Sequence, residues 1–200
     1  MANIIEVSDK LKSLIDEKGD IKAQYMVALT KTREITMENG EFTLFRTLFD
    51  NAVSIKIIKD GRVGTTSLNK FDDKSLSDAF ENVIKSSEAG TADENFDIAP
   101  KMDAAEFTIG AVEPDIDKLM QRAEELSEDI KNRHPKVLVM QIILKHVDVH
   151  SIYRNTNASQ DEKFSGRYEV MVEFAGNDGE NSTGLASTYV MICLLYTSPS

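Results

Sequence analysis

The sequence predicts an α+β protein: an antiparallel meander sheet with covering helices, followed by a second, incomplete α+β unit. Three observations predict it. Two turn dipeptides, Asn39-Gly40 and Asp60-Gly61, sit between apolar runs, and such pairs suit two-residue hairpins because glycine accepts positive φ at no steric cost. Val53, Ile55 and Ile57 alternate with Ser54 and Lys56, the period of a half-buried strand. Three other stretches carry their apolar residues at helical spacing.

Taken in order, Ile4, Ile5, Val7, Leu11, Leu14 and Ile15 form one helical face, and Gly19 is placed to stop it. Strands over 24–37 and 41–49 flank Asn39-Gly40. Asp50-Asn51 is expected to turn the chain again, so that a strand over 53–59, the Asp60-Gly61 turn and a strand over 62–68 complete a four-stranded meander. The run "IKIIKDGRVGTTSLN" holds the glycines and hydroxyls of a phosphate loop. A phosphate loop, however, leads its glycines into a helix N-terminus, and here both flanks alternate as strands. Asp72 or Asp73 caps a helix whose buried face is Leu76, Ala79, Phe80, Val83 and Ile84, ending near Gly90. Residues 1–90 are therefore expected as an N-terminal α+β domain.

Residues 91–114 read as a linker, acidic and bounded by Pro100 and Pro114. Residues 115–188 read as the start of a central α+β domain. Pro114 suits the first turn of a helix striped by Ile116, Leu119, Met120, Ala123, Leu126 and Ile130, and His134-Pro135 ends it. His134 reads as a C-terminal cap. "KVLVMQIILKHVDVHSIY" is a long strand or a strand pair, and "GRYEVMVEFAG" is another strand. Residues 189–200 are expected to be a non-native tail: they carry no charge, and "CLLYTSPS" is similar to translated sequencing-adapter read-through. A native strand over Tyr189 to Tyr196 is the alternative.

The formal charge of −11 disfavours nucleic acid, which needs clustered Lys and Arg. Cys193 is the single cysteine, so no internal disulfide forms. The charged N-terminus lacks the apolar core of a signal peptide, and no run is long enough to span a bilayer; the expected location is the cytoplasm. The sequons at Asn157 and Asn181 then read as chance matches.

One cluster has metal-ligand residue types. On a strand, His146, Asp148 and His150 of "HVDVH" share a face, and two imidazoles at i and i+2 with a carboxylate can hold a zinc. The competing reading is a solvated face with Val147 and Val149 turned inward. No G-x-S-x-G elbow and no HExxH signature is present.

The order of features resembles the first domain of the TldD/PmbA (TldE) family. Its hairpin pattern, G-x-x-x-R-x-x-x-D-G-R-x-G-x-x-x-T/S-N followed by a helix, is met by Asp60, Gly61, Arg62, Gly64, Ser67 and Asn69. Ala52 stands for its first glycine and Lys56 for its first arginine. The likeness covers about residues 20–90; a looser one over 115–188 places Asn155 to Ala158 at the family's Asn-Ser-x-Gly strand exit. The resemblance implies a cytoplasmic subunit acting in proteolysis of unfolded or precursor peptides, paired with a related TldD/PmbA subunit. In that family one subunit binds metal through an HExxxH helix and a later cysteine. Neither element occurs here, so no catalytic residue carries over and no cofactor is expected in this fragment; zinc would belong to the full-length protein or its partner. The alternative is a non-catalytic peptide-binding or assembly module.

Overall fold

The computed structural model describes residues 3–192, so Cys193 to Ser200 of the suspected tail lie outside the described residues, whereas Tyr189 to Ile192 pair antiparallel with Tyr168 to Met171. The elements run α1 (Ile4–Lys18), β1 (Lys22–Glu38), β2 (Glu41–Lys59), β3 (Arg62–Leu68), α2 (Asp73–Glu88), β4 (Ala105–Gly110), α3 (Ile116–Arg133), β5 (Val137–Asn155), β6 (Gln160–Gly176) and β7 (Ala186–Ile192). The strands hydrogen-bond in the order β3-β2-β1-β5-β6-β4, with β7 also on β6. The α+β class holds.

Both predicted hairpin turns form. Asn39 and Gly40 have φ of 50° and 86°, and Asp60 and Gly61 have 51° and 70°. Two consecutive positive φ values match the strand twist, which is why Asn-Gly and Asp-Gly recur there. β3 returns antiparallel on β2, from Lys59 opposite Arg62 to Val53 opposite Leu68. The turn expected at Asp50-Asn51 does not form. β2 runs through it as one strand of 19 residues, so the meander has three strands rather than four.

The helices start and stop where their polar residues dictate. Asn3 caps α1 by accepting from the Ile5 amide at 3.0 Å, and the Gly19 amide closes its end on Ile15. Asp72 caps α2 through the Ser75 amide at 2.9 Å, Asp115 caps α3 through Lys118, and His134 is the α3 C-cap. Each side-chain acceptor satisfies a first-turn donor that the helix leaves open.

Two compact units interleave along the chain. The first holds Met1–Thr30, Asp50–Thr108 and Val149–Phe164; the second holds Lys31–Phe49, Ile109–Asp148 and Ser165–Ser200. In the first, Val7 and Leu11 of α1 and Leu76, Phe80 and Val83 of α2 pack with Ala23, Val27, Ile55 and Ile57 of the strands. In the second, Leu119 and Ala123 of α3 pack with Ile35, Met37, Ile142, Leu144, Tyr168 and Val172. Burying each large aliphatic side chain contributes about 1.5–3 kcal/mol, so these two rows hold each unit together. β4 lies inside the stretch expected as a linker.

Candidate functional site

The "HVDVH" residues lie on β5, and the structure gives each its own partner. His146 is fully buried and faces the α3 core, where its ring lies 5.0 Å from that of Tyr168. Its Nε2 is 2.6 Å from the Ala111 carbonyl, which can only accept, so Nε2 carries the proton. Nδ1 is then the acceptor for Arg33 Nη1 at 3.3 Å. The same guanidinium nitrogen donates to Asp148 Oδ2 at 2.7 Å. Burial holds the His146 imidazole below its ordinary range, against the opposing pull of the Ala111 carbonyl and Asp148. The ring is neutral and saturated.

His150 belongs to a different contact. Its Nε2 is 2.6 Å from Glu162 Oε1, and its ring stacks on Phe164 at 4.3 Å. Neither of the two sequence readings describes this arrangement. The face is not the solvated one, because His146 is its most buried member; Val147 is buried too, on the opposite side. Nor do the three side chains converge. Among the described residues no group of three or more His, Cys, Asp or Glu is placed to hold a metal ion. A zinc at His146 would have to displace the Arg33 guanidinium or the Ala111 carbonyl. The donor set does not fit that ion.

The Ala111 carbonyl anchors a crossing segment that leads into α3. A Cβ on Gly166 would stand 1.7 Å from this oxygen, so only glycine lets β6 pass beneath it. Tyr168 Oη accepts from the Asp115 amide at 2.9 Å, at the cap of α3. Next to this lock, Glu34 on β1 is a buried carboxylate, 5% exposed at its side chain. Arg46 reaches its Oε1 at 2.6 Å and Lys145 its Oε2 at 3.2 Å. A buried charge is tolerable only with such pairing. Sequence reading missed Arg33, Glu34, Ala111, Gly166 and Tyr168, since contacts between stretches far apart along the chain leave no local pattern.

The strand exit at Asn155 to Ala158 is a turn with Ala158 at φ of 64°. Its polar atoms bind the chain's own backbone. Asn155 Nδ2 and Asn157 Nδ2 donate to the Ala99 carbonyl at 3.1 and 2.8 Å. Ser159 Oγ donates to the Pro100 carbonyl at 3.0 Å and accepts from the Met102 amide at 2.8 Å. The turn clamps residues 99–102. Gly64, on the hairpin, is equally constrained: a Cβ there would meet the Val83 carbonyl at 2.3 Å, because β3 and α2 touch backbone to backbone.

Residues 28–87 match the family model described as PmbA/TldA metallopeptidase domain 1. Over that span the chain is similar to the first domain of the PmbA/TldD family. The matched span contains the Asp60-Gly61 hairpin, Gly64 and α2. No curated protein matches the chain. Among solved structures, TldE from Thermococcus kodakarensis is similar at a TM-score of 0.68 and 16% identity, over 91% of this chain and 42% of that one. A candidate modulator of a DNA gyrase from Thermotoga maritima is similar at 0.63 and 16%, over 96% and 44%. A third, a candidate modulator of DNA gyrase from Bacteroides thetaiotaomicron, scores 0.64 at 15%, over 96% and 44%. At these identities the likeness is one of fold. The chain spans less than half the length of each of the three.

Proposed function

We propose that this chain is the N-terminal part of a PmbA/TldD-type subunit that acts in proteolysis of unfolded or precursor peptides, together with a related partner subunit. The observation that supports it best is the family match over residues 28–87, centred on the hairpin whose Gly64 packs against α2. In this reading these residues do not perform the bond cleavage. The histidines and carboxylates of β5 are spent on holding α3 and the crossing segment. Zinc, as Lewis acid and activator of water in such hydrolysis, would be held on the full-length protein or its partner.

The test is to express the full-length protein with a related subunit and to assay an unfolded peptide. Co-purification of the two, with cleavage that chelation abolishes, is the expected result. A stable full-length chain that neither associates with a related subunit nor supports cleavage would overturn the reading. It would leave the non-catalytic peptide-binding or assembly role.

A further inference from the structure

We propose that the groove between the second half of α3 and the start of β5 docks an extended peptide segment in which an apolar side chain is flanked by Lys or Arg. The groove has a volume of about 800 Å³ and lies within the second compact unit. Val137, Leu138, Val139 and Met140 line it, together with Met37 and Pro135. Leu138 and Met140 are 45% and 47% exposed, so neighbouring large apolar side chains face water there. An exposed apolar patch rimmed by polar groups marks a contact surface.

The charge of the rim selects the occupant. Glu124 and Glu128 stand one helical turn apart on the groove wall. Among the described residues neither has an ion-pair partner, whereas Glu125 and Asp129 of the same helix pair with Arg122 and Arg133. Like charges at i and i+4 repel, and a ligand cation between them removes that repulsion. The opposite rim is the β1–β2 turn, where Asn39 and Gly40 line the groove and Glu38 and Glu41 flank them. Glu38 accepts a hydrogen bond from Gln141, which leaves its charge uncompensated. The nearby cations are Lys131, on the wall, and Lys136 beside Pro135. In the lining, two carboxylates stand against the single Lys131, and Glu38 and Glu41 beside it add to the negative side, so the groove favours a basic ligand and repels an acidic one. Successive strand side chains alternate between faces, so the exposed pair Leu138 and Met140 supplies the apolar contact for the uncharged side chain between the ligand's cations.

The inference rests on the reading above only for a peptide as the ligand, and its test measures binding without cleavage, so its failure leaves that reading standing. A fluorescent Lys-Leu-Leu-Lys peptide is titrated with the 200-residue chain and followed by anisotropy. We expect saturable binding that weakens about tenfold or more in Glu124→Lys/Glu128→Lys, and weakens with added salt. We expect loss in Leu138→Ser as well, while the Glu-Leu-Leu-Glu peptide stays free. All three positions are exposed, and circular dichroism checks that the variants fold. Absence of binding up to about 1 mM, equal binding of the acidic peptide, or an unchanged double variant would overturn it. So would self-association of the chain that Leu138→Ser abolishes, since a second copy would then be the occupant.

Discussion

Gly166 passes directly beneath the carbonyl of Ala111, so closely that a Cβ would sit 1.7 Å from the oxygen and 2.2 Å from its carbon. Both partners are backbone or fixed to it, so neither can swing aside. Gly166→Ala is therefore expected to destabilise the chain by about 1–3 kcal/mol or more, the range for overpacking. Urea denaturation measures it. Gly184, where a Cβ meets nothing within 4 Å, is the control, and Gly184→Ala should leave the midpoint unchanged.

His146 makes the same crossing sensitive to acid. Its folded-state pKa lies below the ordinary value, mainly through burial. The unfolded chain therefore binds the proton first as pH falls. The stability His146 contributes is complete above about pH 6.5 and is lost as pH falls from there toward the depressed folded value. Protonation would also set an N–H against Arg33 where a lone pair now accepts. We expect the urea midpoint to fall between about pH 7.5 and pH 5.5, and to fall less in His146→Gln. His146→Ala, which strands the Ala111 carbonyl and leaves the Arg33 guanidinium with Asp148, should cost about 1–3 kcal/mol at neutral pH. An identical pH dependence in wild type and His146→Gln would show that another group carries the effect.

Gly64 tests the family-matched hairpin. Gly64→Ala forces β3 away from α2, whose Val83 carbonyl and Ser87 amide lie 2.3 and 2.9 Å from the added carbon. A loss of about 1–3 kcal/mol is expected, with faster amide exchange in α2. Unchanged exchange there would mean that the contact is looser than described.

Asn155 tests the clamp on residues 99–102. Its amide donates to Ala99 and to Tyr153 Oη, and its carbonyl oxygen accepts from the Ser159 amide at 3.0 Å. Asn155→Ala should expose the bond after Lys101 to trypsin well before the helices are cut. Equal cleavage rates in the variant and wild type would argue that Asn157 and Ser159 hold the segment without it.

The parts of this fold that were legible in the sequence are those whose determinants are local. Asn39-Gly40 and Asp60-Gly61 fix their own backbone, and Asp72 and Asp115 cap the helices that follow them. Asp50-Asn51 misled because it lacks the glycine that makes its neighbours turns. The flanking Leu44, Phe45, Leu48 and Phe49 are all exposed, so no alternation marked the strand as continuous. β4 is only 6 residues long and mostly exposed, too little to stand out from acidic surroundings. The long strands are 17 to 19 residues each, and each gives one part to each compact unit, which windows along the chain cannot register. On β5 the alternation assigns the interior to the valines, yet His146 lies inside as well as Val147. Its burial depends on Arg33 and Ala111, which are 113 and 35 residues away.

His146 and His150 are committed to structural hydrogen bonds. Long-range ¹H–¹⁵N spectra of the imidazoles, recorded near neutral pH with and without equimolar zinc, test it directly. The account predicts a neutral His146 ring protonated at Nε2, with a hydrogen-bonded Nδ1, and no change at either residue when zinc is added. A zinc-induced shift of the His146 and His150 nitrogens, together with one stoichiometric ion retained after dialysis, would contradict it.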